Sequence, residues 1–511
     1  MIERKIIISL ITQTEYLRQI KSEWNYDFIE SHTARMISGW CWEYFDKYLK
    51  APMQDIEIIY IEKLKKGLDK KLAKEIEEDI LPGLSEEYER GEINIVYILE
   101  QTRSYFMERT VALHIERLRV LHDKNNIKEA ISEAQNFKII TEREHDEIDL
   151  SLPEVLQKID SAFDTVYQSV ITFPGALGNF WNEQFVRGSF IGILAPEKRG
   201  KTFLLIELMM RAYLQKKRVA IFQAGDMTEN QLLMRICTYL TKRPHSEKYL
   251  GLRYVPVQDC IKNQTDTCTK EIRECDFGIF NEDETELRKT ITFEKLIEAY
   301  KDNSKYKPCY NCLEWEKCKL GTVWVKRIDV KQTLTQKVAK KAIYKFFIST
   351  GRHIKVSTHV NGSLKVSEIK SILKKWKVEE DFIPDLILID YADLLIPEIH
   401  GEFRHQQNDI WKKLRGMSQE YDCCVVTPTQ SDSDSYSQDR LGLKNFNEDK
   451  RKYGHVTAMY GLNHDVSGRE KKIGLMRINK IVVREDEFHF TDEVTILQRL
   501  ELGKPFLGSY Y

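Results

Sequence analysis

No apolar stretch of this 511-residue chain approaches the roughly 20 residues that a helix needs to cross a bilayer, which excludes a spanning helix. The opening segment, Met1-Ile2-Glu3-Arg4-Lys5-Ile6-Ile7-Ile8-Ser9-Leu10-Ile11, carries an early acidic residue and runs directly into Thr12-Gln13-Thr14. It lacks a long apolar region and a small-residue cleavage site, so the chain is expected to be cytoplasmic. Proline is scarce, at 12 residues beside 24 Gly, and low-complexity tracts and internal repeats are missing. With 42% hydrophobic and 31% charged residues, a disordered or fibrous chain is excluded. A formal net charge of −1 excludes a global electrostatic field, so contact with nucleic acid has to come from local basic patches.

What is present is more than one core can hold: 511 residues imply two or three domains. Up to about residue 120 the chain reads as a small helical bundle, since Ile37, Trp40, Tyr44 and Tyr48, and again Val111, Ile115 and Leu118, recur at helical steps. A charged stretch from His122 through Asp149 reads as a solvated linker helix, and 121–170 is assigned to the linker. From 171 to 511 the texture is that of an α/β domain. Phe190–Leu194, Arg218–Phe222, Leu386–Ile389 and Cys423–Val426 are apolar runs of strand length separated by amphipathic segments, the pattern of a mostly parallel sheet covered by helices.

Two motifs carry chemistry. Ala195-Pro196-Glu197-Lys198-Arg199-Gly200-Lys201-Thr202 lies between a strand and a helix and has the form of a P-loop, with Ala195 in place of the first Gly. Such a loop cradles phosphates in backbone N–H groups, Lys201 neutralises the β- and γ-phosphates of ATP, and Thr202 ligates Mg²⁺. Ala in the first position is acceptable if the backbone there does not need a positive φ. Asp385-Leu386-Ile387-Leu388-Ile389-Asp390 is an apolar strand ending in a carboxylate, the Walker B arrangement, and Asp390 is expected to hold the same Mg²⁺. Asp226, at the end of the strand after the P-loop helix, is the candidate general base, although Asp is shorter than the more usual Glu. Gln430 ends a further strand and is a candidate γ-phosphate sensor.

Ten cysteines are unevenly spread, with Cys260, Cys268, Cys275, Cys309, Cys312 and Cys318 in one insert assigned to 247–327. In a reducing cytosol such a cluster reads as metal ligands before disulfides. Cys309-Tyr310-Asn311-Cys312 is a CxxC knuckle. With Cys260 and Cys268 it forms the expected four-thiolate structural Zn²⁺ site, leaving Cys275 and Cys318 spare.

The stretch Asp385 to Asp393, followed by Arg404, the segment Ile410–Arg415 and the strand ending at Gln430, resembles the motor domain of DnaB-type replicative helicases, a RecA-like P-loop ATPase family. Ala224-Gly225-Asp226-Met227-Thr228-Glu229-Asn230-Gln231-Leu232-Leu233-Met234-Arg235 is similar to that family's SLEM…QL…R motif, with Asp226 where the family has its catalytic Glu. The helical amino-terminal region is similar to the family's collar domain, and inserts like the cysteine segment resemble those of phage-type relatives. The resemblance implies an ATP-driven helicase, a homo-hexameric ring around single-stranded DNA, with a primase or a helicase loader as further partners. A phage-encoded member would act in the host cytoplasm.

The same resemblance implies an arginine finger supplied in trans, for which Arg484 is the candidate, with Lys480 or Arg477 standing in for the family's lysine near it. It also implies DNA contact from channel-facing loops, here the basic Lys444, Lys450, Arg451 and Lys452. Two other readings of the same motifs are a filament-forming recombinase and a zinc-containing scaffold that binds ATP only as a switch.

Overall fold

The computed structural model describes residues 2–67, 73–74, 76–77, 94–135, 150, 155–156, 159–160, 163, 168–351, 353–446, 450–484, 489 and 491–511. The chain divides into two compact units, Met1–Asp149 and Leu150–Tyr511. Among the described residues no helix is long and apolar enough to cross a membrane.

The first unit is helical: α1 (Ile2–Thr12), α2 (Thr14–Ile20), α3 (His32–Tyr48), α4 (Asp55–Lys65), α5 (Ile95–Asp123) and α6 (Ile127–Gln135). Side chains start the longer helices by satisfying amides that have no partner within the helix. Ser31 accepts from Ala34 N at 3.2 Å before α3, and Asn94 accepts from Tyr97 N at 3.1 Å before α5. The apolar stripe of α1 packs with Ile37, Cys41 and Phe45 of α3 and Leu99 and Phe106 of α5 in one core. A buried hydrogen bond of 2.7 Å between Tyr16 and Thr102 ties α2 to α5. Helix α5 runs three residues beyond position 120, and much of the stretch assigned to the linker lies outside the described residues.

The second unit is built on a nine-stranded sheet. Its strands are β1 (Phe190–Ala195), β2 (Val219–Gln223), β5 (Ile354–Thr358), β6 (Leu386–Asp390), β7 (Cys424–Gln430), β8 (Ala458–Asn463), β9 (Leu475–Val483), β10 (Glu493–Arg499) and β11 (Lys504–Tyr510). A separate two-stranded ribbon pairs β3 (Gly251–Cys260) with β4 (Gly321–Val330). The sheet order is β11-β10-β9-β8-β1-β7-β6-β2-β5. The pairs from β8 to β5 are parallel, and β9, β10 and β11 extend the sheet in antiparallel fashion.

Strand alternation divides the central apolar runs between two cores. Ile191, Ile193, Leu386, Leu388 and Val426 face one side with α7 (Lys201–Leu214) and α8 (Glu229–Thr241). Phe190, Leu194, Ile387, Ile389 and Val425 face the other with α9 (Val366–Glu380) and α10 (Phe403–Glu420). Both faces are covered, which is why these strands read as unbroken apolar runs. The ribbon shares a further core, including Trp324 and Tyr306, with Leu475, Leu497 and Tyr510 of the antiparallel edge.

Candidate nucleotide site and its surroundings

The P-loop connects the end of β1 to the start of α7. Ala195 keeps the extended backbone of β1, so its methyl group is accommodated, whereas Lys198 (φ 59°) and Gly200 (φ 91°) take left-handed conformations that turn the chain into the helix. Lys201 opens α7 with its ammonium folded back on the loop, donating to Ala195 O at 3.2 Å. It also lies 5.3 Å from the Tyr391 ring centroid. Burial lowers the Lys201 pKa, opposed by the charges of Asp393, Asp226, Asp390 and Glu197, so an ammonium is set among carboxylates in a partly desolvated crevice. Pro196 is buried, Glu197 and Lys198 are exposed, and Arg199 and Gly200 are half-buried.

Asp390 ends β6, two strands from β1, and its carboxylate is 2% exposed. It accepts hydrogen bonds from the Thr202 hydroxyl and from Gln223 Nε2, the latter at 3.1 Å. Burial and then the neighbouring Asp226 raise its pKa to about 6, against the opposing effects of Thr202, Arg235 and Lys201. Gln223 Oε1 is buried without a hydrogen-bond partner beside it. An adjoining hydroxyl, carboxylate and unmatched amide oxygen fit a hard, oxygen-seeking cation such as Mg²⁺.

Asp226 is exposed just past β2 and acts electrostatically on Lys201, Asp390, Arg235 and Tyr391. Gly225 before it has φ 100°, and an added Cβ there would stand 2.2 Å from Asn361 N, so the turn that presents Asp226 requires glycine. The next helix, α8, is started by a capping box. Thr228 accepts from Gln231 N at 3.3 Å and its own N donates to Gln231 Oε1 at 3.0 Å. From this helix Arg235 reaches the crevice, its guanidinium 5.0 Å from the Phe203 ring centroid. Burial lowers its pKa, opposed by Asp390 and Asp226. Arg235 was visible in the sequence only as part of a motif, and nothing local marked it as a second cation of the site.

Gln430 is half-buried at the end of β7, where its Nε2 donates to the Tyr391 hydroxyl at 2.8 Å. Tyr391 therefore bridges Gln430 and Lys201, a role for which the sequence carried no signal.

The structure corrects one expectation about DNA contact. Lys452 is 1% exposed and forms an ion pair of 2.8 Å with Asp393, above the Trp411 ring, so it does not present its charge to a solvent-borne phosphate. A basic run in sequence does not reveal that one of its members finds a half-buried carboxylate 59 positions away. Lys444 and Arg451 are exposed, Arg451 lying 3.4 Å from His405 Nδ1; the side chain of Lys450 lies outside the described residues.

Arg484 is exposed just beyond β9, donating from its guanidinium to Gly454 O and from its backbone to Thr457 O at 3.0 Å. Arg477 bonds Glu470 at 2.8 Å and Glu493 at 3.2 Å, and Lys480 is buried with its ammonium 5.5 Å from the Phe180 ring centroid.

In the insert, Cys260 at the end of β3 and Cys309 are drawn to one buried carboxylate. Asp259 Oδ1 accepts from Cys260 N at 2.7 Å and Cys309 N at 2.9 Å. Its Oδ2 accepts from Tyr306 Oη at 2.7 Å and Gln264 Nε2 at 3.0 Å. Cys312 is close enough to Cys260, Cys268 and Cys309 to feel their charge. Burial pushes the Cys260 thiol up to about 11 and raises Cys312, which favours neutral thiols. Among the described residues no group of three or more His, Cys, Asp or Glu side chains is arranged to hold a metal ion, so the expected four-thiolate zinc site is not shown. The spare thiols have other surroundings. Cys275 accepts from Lys307 N at 3.2 Å, and Cys318 is buried in the sheet core.

No protein-family model matches the sequence, and no curated protein matches it. Solved structures do. One, of a DnaB-like replicative helicase described together with its interactions with primase, superposes with a TM-score of 0.54 at 15% identity, covering 98% of each chain. Another, described as an ATPase domain, has a TM-score of 0.44 at 14% identity over 71% of this chain and 99% of its own. The chain therefore shares its fold with a DnaB-like replicative helicase over 98% of its length, its second unit carrying the mostly parallel sheet with the P-loop segment and Asp390 at the strand ends.

Proposed function

We propose that this chain is an ATP-dependent DNA helicase, a ring-forming motor that holds single-stranded DNA in its channel and couples ATP hydrolysis to translocation and unwinding. The observation that carries the reading is the convergence of Lys201, Thr202, Asp390, Asp226 and Gln430 at the carboxyl edge of β1, β2, β6 and β7. Ligands of open α/β sheets bind at such an edge. Lys201 and the P-loop amides would bind the triphosphate, and Thr202 and Asp390 would hold Mg²⁺, which when bound neutralises charge on the β- and γ-phosphates. Asp226 would orient and deprotonate the attacking water, while Gln430 would register the γ-phosphate.

Arg484 is the finger we assign to a neighbouring subunit's site, and Lys444, Lys450 and Arg451 remain the basic residues assigned to DNA. A homo-hexamer, cytoplasmic action (the host's, for a phage protein), and a primase or loader as partner belong to the same proposal. The likeness to a helicase across both the helical region and the motor favours it over a filament-forming recombinase. ATP turnover with and without single-stranded oligonucleotide tests it. Stimulation that disappears in Lys201→Ala is expected, and a rate indifferent to both DNA and Lys201 refutes it.

A structural zinc on Cys260, Cys268, Cys309 and Cys312 is a separate proposal, resting on the clustering of cysteines in the sequence. Metal analysis of the purified protein should find about one zinc per chain. None in a folded sample removes it.

A further inference from the structure

Residues 431–457 join β7 to β8, and a single carboxylate links the last residues of β7 to a turn late in that connection. Asp393 lies three residues beyond Asp390 in a short turn, Ala392–Leu394. At the end of β7, Asp393 Oδ2 accepts from the Thr429 hydroxyl at 2.6 Å and from Gln430 N at 3.3 Å. Late in the connection, in the short helical turn Lys450–Gly454, Lys452 Nζ donates to Asp393 Oδ1 at 2.8 Å and approaches Thr429 Oγ1 at 3.5 Å. Trp411 Nε1 lies 3.4 Å from the same Oδ1, and the Trp411 ring lies beneath the ammonium. The other end of the network is the crevice itself, because Gln430 Nε2 holds the Tyr391 hydroxyl and Tyr391 faces Lys201.

An ion pair with its lysine fully buried and its carboxylate partly so gives up much of its hydration and contributes little net stability compared with an apolar pair of the same shape. Its effect here is geometric. Any movement of Gln430 or of the Walker B turn on triphosphate binding displaces the carboxylate that anchors Lys452.

We propose that Asp393 and Lys452 are a positioning pair that transmits the state of the nucleotide crevice to the connection between β7 and β8, coupling hydrolysis to the nucleic acid held there. The pair is distinct from the phosphate-binding groups and from the exposed cations that would touch DNA, and it rests on the motor reading above.

Three variants test it: Lys452→Met, Lys452→Arg, and the double variant Lys452→Met with Asp393→Asn, which leaves no unpaired buried charge. For each, kcat and KM for ATP are measured without DNA and with saturating single-stranded oligonucleotide. In Lys452→Met and in the double variant the DNA-stimulated increase in kcat should fall by about tenfold, the size of a typical coupling between two sites. In the two Lys452 single variants KM for ATP without DNA should remain within about twofold, since Lys452 touches no phosphate and Asp393 keeps its charge near Lys201. Lys452→Arg should recover most of the stimulation. Full stimulation in Lys452→Met overturns the proposal. So does a parallel loss of unstimulated and stimulated turnover in Lys452→Met, which marks a merely structural pair. An unaltered protein that DNA does not stimulate removes the motor reading, and the coupling with it.

Discussion

Replacing Asp390 with Asn should make the nucleotide-free protein more stable while removing its activity. The Asp390 carboxylate is buried, and burial together with Asp226 lifts its pKa from 3.8 to about 6. A carboxyl whose folded-state pKa exceeds its unfolded value binds its proton more tightly when folded. The associated stability is fully present below the unfolded value and is lost as pH rises through about 6. At about 1.4 kcal/mol per pH unit, that gap makes the ionised form cost the folded protein on the order of 3 kcal/mol at pH 7.5.

Asn has the same shape, still accepts from Gln223 Nε2, and carries no charge. Asp390→Asn should therefore raise stability by up to about 3 kcal/mol at pH 7.5, and by only about half of that at pH 5, where the natural carboxyl is already largely protonated. Urea unfolding, followed by circular dichroism, reads the difference. Mg²⁺-dependent turnover should fall by at least about 100-fold in the same variant. Lower stability at pH 7.5, or an equal gain at both pH values, would show that the crevice does not strain this carboxylate.

Asp226→Asn should bind ATP with near-normal affinity yet lose at least about 100-fold in turnover if Asp226 is the base; retained hydrolysis moves that role elsewhere. Gly225→Ala forces a Cβ onto Asn361 at a positive φ and should cost roughly 2–4 kcal/mol of stability along with activity, whereas an unaffected melting temperature would mean that the turn relaxes freely. Lowering pH from 7.5 towards 5 should weaken Mg²⁺-dependent nucleotide binding, since the metal needs ionised Asp390 and competes with a proton bound near pH 6. Affinity that is flat over that range contradicts the assignment.

The parts of the fold that were legible in the sequence are those where burial leaves one pattern available. β1, β2, β6 and β7 lie between two helical layers, so apolar residues occupy both faces and the strands appear as runs. β5 is an edge strand, Ile-Lys-Val-Ser-Thr, with half-buried or exposed side chains, and nothing in those residues distinguishes it from a loop. β10 and β11 carry polar residues at intervals because one side of the antiparallel edge meets the cysteine-bearing ribbon, a partner that the sequence alone does not announce.

The site divides in the same way. The loop 195–202 and Asp390, which we propose bind the triphosphate and Mg²⁺, stand out in the sequence because phosphate binding demands particular residues at particular spacings. Arg235, Tyr391 and Asp393 were not, because their roles depend on neighbours brought in from other strands. Lys452 differs from its sequence reading for that reason: a lysine in a basic run signals exposed charge unless the fold buries it against an acid.

The most direct test of the central claim is calorimetric titration of the protein with ATP, with and without Mg²⁺, on the unaltered chain, Lys201→Ala and Asp390→Asn. If the triphosphate lies between the P-loop and the end of β6, Lys201→Ala should lose ATP affinity, and the tightening caused by Mg²⁺ in the unaltered protein should vanish in Asp390→Asn. Equal affinities in all three proteins, with the same response to Mg²⁺, would contradict it.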